Sequence, residues 1–332
     1  RNNKASYKIR GSVADNPDFG NKIYIRYADV LLWKAEALLE TGDLSGAITI
    51  INQIRERART SSTADGSVIP AGTLLDRPAS TDTSEKFYET SDGLSIETHF
   101  LPKGEYKSGP TKKEYLFLHH TAGWHNPYNI VRAWDRDSST IATEFVMGGP
   151  SIKGNSDEFD GRVLQAFPEG GYAWHLGKNG SQHMHEHSVG VEVCNFGYLT
   201  EGGYNKWDNV NKRRVWIEKT AGKFYTYVGT EAAASQVAKL DEKFRGHEFW
   251  HKYSDEQIEN LRMFILHIAE RDSIDVRVGL IQEVKKYGAK GFEFNEDAFY
   301  GKIKGMWTHT NTRKDKFDMF PQQELLDMLV SL

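Results

Sequence analysis

Two adjacent histidines, His119 and His120, end the apolar run Tyr115-Leu116-Phe117-Leu118 and lead into Thr121, Ala122 and Gly123. The run reads as a buried strand that delivers imidazoles to a small-residue turn, where a strand exit can present them to a metal or a substrate. Side chains alternate along a strand, so the two rings face opposite ways and at most one serves a given site. Far along the chain, His309, Lys316 and Asp318 gather in a polar stretch ahead of Pro321. Glu192 lies in the alternating run Ser188-Val189-Gly190-Val191-Glu192-Val193, where the valines share one face and the glutamate points away from them, toward a cleft. Two neutral imidazoles and one carboxylate are a set that can hold a catalytic zinc ion, with a fourth position left for water. Lys316 and Asp318 are two apart, so an extended segment projects both to one side. Spacing alone leaves the ligands open, because any polar residues so distant in sequence could serve.

These residues need a frame, and from about residue 112 the pattern alternates between strand and helix. Asn126-Pro127 supplies a cap and a first helical position, and Ile130, Val131 and Trp134 give that helix an apolar stripe ending near Arg136. Strands are expected over 143–147 and 162–167, with a long loop through Gly149-Pro150 between them. Residues 201–253 have no clear period and read as an insertion with one strand over 223–228. Ser254-Asp255-Glu256-Gln257 is a capping box, followed by the stripe Ile258, Leu261, Ile265 and Ile268. The stretch 276–304 reads as irregular, and a terminal helix begins at Pro321 with Leu325, Leu326 and Leu329 inward. The expected class is α/β, a central mixed β-sheet flanked by helices and preceded by a small α-helical hairpin.

That hairpin comes from Tyr27, Val30, Leu31, Ala35 and Leu38, a break at Gly42-Asp43, and Ala47, Ile50, Ile51 and Ile54 beyond it. The expected organisation is a hairpin over 1–60, a linker over 61–84 containing Pro70 and Pro78, and a catalytic domain over 85–332. The hairpin resembles one tetratricopeptide repeat, without a second copy at the expected spacing of about 34 residues.

Composition narrows the partners. A net charge of −4 gives no basic footprint, which argues against nucleic acid and against a polybasic membrane contact. Cys194 is the single cysteine, so there is neither a disulfide framework nor a cysteine metal cluster. No apolar run approaches the ~18 residues of a bilayer span, so no transmembrane segment is expected. Because the first residue is Arg1 rather than Met, any signal or lipid-attachment segment could have been removed beforehand. The oligomeric state is left open.

Four runs together carry a resemblance. Phe117-Leu118-His119-His120-Thr121-Ala122-Gly123, Tyr172-Ala173-Trp174-His175-Leu176-Gly177, the Ser188–Val193 run, and His309 with Lys316-Phe317-Asp318 occur in this order across residues 112–330. They resemble the zinc N-acetylmuramoyl-L-alanine amidases of the type-2 amidase superfamily, which includes AmpD-like enzymes, phage-lysozyme-type amidases and peptidoglycan recognition proteins. The resemblance implies His119, His309 and Asp318 as zinc ligands, Glu192 as the catalytic carboxylate and Lys316 as the oxyanion-stabilising lysine. It places Trp174, His175, His120 and Thr121 against a peptidoglycan or muropeptide substrate. The phage-lysozyme branch carries a tyrosine on its second strand where this chain has Thr143 or Glu144, so the AmpD-like branch is the nearer one. Met319-Phe320 stands where Pro-Gly is common in the family. Extra segments at 149–159, 201–253 and 276–304 enlarge the fold and are expected to shape the groove.

A second resemblance covers residues 22–60. Ile25-Arg26-Tyr27-Ala28-Asp29-Val30-Leu31-Leu32 with Ala35-Glu36-Ala37 is similar to the late helical segment of SusD/RagB outer-membrane nutrient-binding proteins. Together the two imply a periplasmic or outer-membrane-associated location. A peptidoglycan-binding receptor without turnover is the competing reading, and retention of the full ligand set with Glu192 and Lys316 favours catalysis. By themselves, His120 reads as a hydrogen-bonded core histidine, His183, His185 and His187 as an exposed loop, and Cys194 as a small buried side chain. His247, His251 and His267 read as structural, and Trp174 and Trp307 as either sugar-stacking or packing aromatics.

Overall fold

A run such as Tyr115–His120, buried along its whole length, needs strand partners at both edges and cover on both faces. The computed structural model supplies both, and describes residues 27–41, 47, 49–51 and 87–332 apart from 110, 138, 178 and 179. The chain divides into two units at residues 83 and 84. In the first, helix Tyr27–Glu40 buries Leu31 and Ala35 in a cluster with Ala47 and Ile50, the stripe that helical spacing requires. Residues 52–60, the end of the expected hairpin, and the linker over 61–84 lie outside the described residues.

The second unit begins with strands β1 (Phe87–Glu89), β2 (Ser95–Thr98), β3 (Tyr115–His120), β4 (Phe145–Met147) and β5 (Val163–Gln165). It continues with β6 (Ser188–Val193), β7 (Tyr198–Glu201), β8 (Gly203–Asp208), β9 (Arg213–Glu218) and β10 (Phe224–Tyr225). Last come β11 (Val237–Phe244), β12 (His247–His251) and β13 (Gly305–Thr308). Seven strands make one sheet in the order β1-β2-β5-β4-β6-β3-β13, antiparallel only at β1/β2 and β4/β5. This is the mixed central sheet expected from the sequence.

Register assigns the two faces. Leu116 and Leu118 of β3 align with Val189 and Val191 of β6 and with Met306 and Thr308 of β13. Leu116, Leu118, Val189, Val191 and Met306 share one core with Phe264, Ile265 and Ile268 of helix Asp255–Asp272 and with Leu280, Ile281 and Val284 of helix Leu280–Tyr287. Helix Gln323–Ser331 adds Leu325 and Leu329 to it. The opposite face carries Tyr115, Phe117 and Trp307 against Leu176, Met184 and Ala298. Beside them, Val146 and Leu164 pack with Val131, Ala173 and Cys194 under helix Pro127–Asp137. Trp307 and Cys194 are thus packed in the core. No described helix is long and apolar enough to cross a membrane.

Three expectations need correction. The 201–253 insertion holds more than one strand: β10, β12 and β11 join β7, which ends at Glu201, in a four-stranded sheet, and β8 with β9 make a separate ribbon. Its period was hidden because β10 is two residues long, β11 shifts register between Lys239 and Phe244, and β9 is largely exposed. Within 276–304, helix Leu280–Tyr287 starts at Gly279 with no side-chain cap, so the usual start signal is missing. Finally, His183 and His185 lie not in an exposed loop but in a short helix, Gln182–Glu186, capped by Ser181 and burying Met184 and His185.

His251 is 1% exposed; its Nδ1 accepts the Phe196 N–H at 3.1 Å. Burial, reinforced by the charges of His120 and His125, lowers its pKa to about 3. A folded-state value below the unfolded one means the unfolded chain binds more protons as pH drops through 6.5, so acidification destabilises the fold. Between about pH 6.5 and 5 this ring should remove on the order of 1–2 kcal/mol. Urea unfolding across that window should therefore lose stability more steeply in the wild type than in His251→Asn, which keeps an acceptor but does not titrate; identical slopes would refute this.

Candidate metal centre

His119 and Glu192 are register partners on adjacent parallel strands, so both side chains leave the sheet on the same face. β13 runs parallel on the other side of β3, and the chain turns after Thr308 into the short helix His309–Thr312. Thr308 and Asn311 form a capping box that holds His309 at the first helical position. Asn311 is itself pinned, its Nδ2 donating to the carbonyls of Gly291 and Glu293 at 2.8 Å each. The segment beyond folds back, the Thr310 N–H donating to the Asp318 carbonyl at 3.0 Å.

This returns Asp318 to the two rings. Its Oδ2 lies 3.2 Å from His119 Nδ1 and 3.0 Å from His309 Nδ1, and the rings meet edge to face with centroids 4.7 Å apart. Ligand atoms ~2.0–2.1 Å from a tetrahedral ion stand roughly 3.3–3.4 Å from one another, so these spacings fit a small divalent cation. His119, His309 and Asp318 are 1%, 5% and 9% exposed, and theirs is a potential metal-holding group among the described residues.

Electrostatics suits the same purpose. Burial lowers the His119 pKa to about 4, opposed in part by its hydrogen bond to Asp318, so at neutral pH the ring keeps a lone pair to give. Burial alone would raise the Asp318 carboxyl, but His309, then the hydrogen bond from His119, hold it well below the usual carboxylate range. Glu192 moves the other way: burial raises its carboxyl well above the usual value, the Asp318 charge adds to this and Lys316 opposes it. Its Oε2 and the Nε2 of His309 are buried without a hydrogen-bond partner among the described residues. A polar atom left so costs free energy unless something else engages it, and His125, His185, Arg245, His251 and His267 each carry one as well.

The remaining expected residues divide. The charge of Lys316 bears on both Glu192 and His119. His175 lies behind His119: its Nδ1 is 3.0 Å from His119 Nε2 and its Nε2 is 2.7 Å from Ser188 Oγ. Trp174 packs edge to face on His185 at 4.9 Å, and Thr121 joins the ends of β3 and β6 through the Asn195 N–H at 3.3 Å. His120 is not brought to the cluster. It turns to the other face, where its Nδ1 pairs with the Tyr253 hydroxyl at 2.9 Å, because alternation sends the residue after His119 into the helix-covered core. Glu144 is locked by two bonds from Arg271 and one from Gln165, and Thr143 donates to the Phe145 carbonyl, so neither competes with Glu192.

Ser188 was missed, although its place two and four residues before Gly190 and Glu192 puts it on their face. The insertion also contributes a rim whose residues the sequence did not single out. The Tyr227 hydroxyl donates to the Ala122 carbonyl at 2.8 Å, and Trp124, Phe196 and Tyr227 follow one another at centroid spacings of 5.0 and 6.2 Å.

Comparison with known proteins agrees with both resemblances. Residues 12–89 match the SusD family. The chain is 26% identical over 201 residues to N-acetylmuramoyl-L-alanine amidase CwlA of Bacillus subtilis (strain 168), covering 59% of this chain. The aligned part spans 61% of that relative's length. Among solved structures, PlyL aligns over 67% of this chain and 85% of its own, with 11% identity and a TM-score of 0.34. The E. coli amidase AmiD, in complex with an anhydro-N-acetylmuramic acid tripeptide substrate, aligns over 51% of this chain and 48% of its own, with 16% identity and a TM-score of 0.28.

Removing one ligand of three should abolish cation uptake. Equilibrium dialysis with zinc should find roughly one ion per wild-type chain and per Glu192→Ala chain, and none held by His309→Ala. Undiminished uptake by His309→Ala would rule out the cluster as the binding site.

Proposed function

We propose that this protein is a zinc-dependent hydrolase that cleaves the amide between N-acetylmuramic acid and the L-alanine of the stem peptide, in peptidoglycan or muropeptides. The observation that carries the reading is the convergence of two imidazole Nδ1 atoms on one carboxylate oxygen, with Glu192 on the same sheet face. The 26% identity to an N-acetylmuramoyl-L-alanine amidase supports the choice of substrate.

When bound, zinc supplies Lewis acidity, polarising the scissile carbonyl and acidifying water. His119, His309 and Asp318 would hold it. Glu192 takes the proton of the attacking water and passes it to the leaving amine; the raised pKa that burial gives its carboxyl brings it nearer the operating pH, where a general base works best. Lys316 offsets charge on the tetrahedral oxygen, a contribution whose loss in comparable sites costs on the order of 3 kcal/mol. Thr121, at the strand exit, and Trp174 contact the substrate in this reading, and His175 acts from behind His119 instead of lining the cleft. The insertion extends the groove: Tyr227 and Trp124, 46% and 42% exposed, stand beside the loop that follows His119 and offer flat faces to sugar rings.

The catalytic domain is residues 85–332 in this reading, with the helical unit joined to it by a linker. The substrate and the SusD family match support a periplasmic or outer-membrane-associated setting.

Mass spectrometry of muropeptides incubated with the zinc-loaded protein tests this. Free stem peptides beginning with alanine are expected, and Glu192→Ala should lower turnover by a few orders of magnitude while keeping its zinc. Intact muropeptide retained by the protein would instead identify a receptor.

A further inference from the structure

His119 has two ring nitrogens with different neighbours. Nδ1 faces Asp318 and His309, and Nε2 faces His175 Nδ1 at 3.0 Å. His175 then reaches Ser188 Oγ at 2.7 Å, and that hydroxyl lies 3.5 Å from the His185 carbonyl oxygen. We propose that His175 and Ser188 are positioning residues that hold His119 in the tautomer able to ligate a cation through Nδ1. The inference rests on reading the His119, His309 and Asp318 cluster as a cation site.

The direction of the chain follows from what each atom can do. A neutral imidazole has one N–H and one lone pair, so a cation on Nδ1 puts the His119 proton on Nε2. That proton needs an acceptor, because the ring is 1% exposed and no water reaches it freely. His175 Nδ1 accepts it, which places the His175 proton on Nε2, where Ser188 Oγ accepts in turn. The Ser188 hydroxyl hydrogen is then free to turn to the His185 carbonyl, an atom that only accepts. Each donor in the series has an acceptor, and no proton is gained or lost. Run in reverse, the series puts a proton on His119 Nδ1, aimed at Asp318, and blocks the position a cation needs.

The surroundings hold the relay in place. A Cβ at Gly190 would stand 3.1 Å from His175 Nδ1 and 2.8 Å from the Thr143 methyl, so the bare glycine makes room for the ring. His185 packs edge to face against His175 at 5.8 Å and against Trp174 at 4.9 Å. One face of β6 thus provides the relay terminus at Ser188, the space at Gly190 and the carboxylate at Glu192.

The test is zinc affinity measured by competition with a chelating dye, which does not depend on turnover. Ser188→Ala and His175→Leu should weaken zinc binding ten- to a hundredfold. His175→Asn, whose amide oxygen can sit where Nδ1 accepts, should restore most of it. Nitrogen-15 NMR of the zinc-loaded wild type should find His119 and His175 both protonated at Nε2. The relay is overturned if Ser188→Ala and His175→Leu bind zinc as tightly as the wild type, or if His119 carries its proton on Nδ1. Wild-type protein that takes up no zinc would remove the cation site itself, whereas tight wild-type binding with indifferent variants would remove the relay alone.

Discussion

Everything at the site depends on keeping one ionised carboxylate next to two imidazoles in a place nearly sealed from water. Burial by itself would protonate Asp318, and the two rings around it prevent that. Burial also keeps His119 neutral, so one of its ring nitrogens retains a lone pair. A divalent cation between the groups would be held by all three, which is the use proposed for them.

The sheet makes this possible by register. A one-residue slip of β3 against β6 would send His119 into the helix-packed core and bring His120 out. That slip is prevented by Leu116 and Leu118, whose face is filled by helices Asp255–Asp272 and Leu280–Tyr287. Hydrophobic packing on one side of the sheet therefore sets the chemistry on the other. The same logic places Ser188, Gly190 and Glu192 together on the functional face of β6, with Val189, Val191 and Val193 opposite.

Much of this was legible in the residues because local signals agreed with the tertiary outcome. The alternation of 188–193, the unbroken apolar run before His119 and the capping box at Ser254 are strong patterns, and each became the element it announced. Helix Leu280–Tyr287 was invisible because its Gly279 start carries no side chain with which to cap. Apart from the strand expected over 223–228, where β10 lies, the insertion's strands were invisible because bulged and solvent-facing strands carry no clean period. At the site, the three side chains that cluster could be named from their motifs, whereas the partnership of His175 with Ser188 could not. It depends on contacts across 13 residues and on the absence of a side chain at Gly190, neither of which leaves a periodic trace.

The central claim concerns which atoms meet a metal, so the most direct measurement is X-ray absorption at the zinc edge of the zinc-loaded protein. The account predicts four nitrogen or oxygen scatterers at ~2.0–2.2 Å, the outer-shell pattern of two imidazoles and no sulfur. A sulfur contribution, a single imidazole or a six-oxygen shell would contradict it.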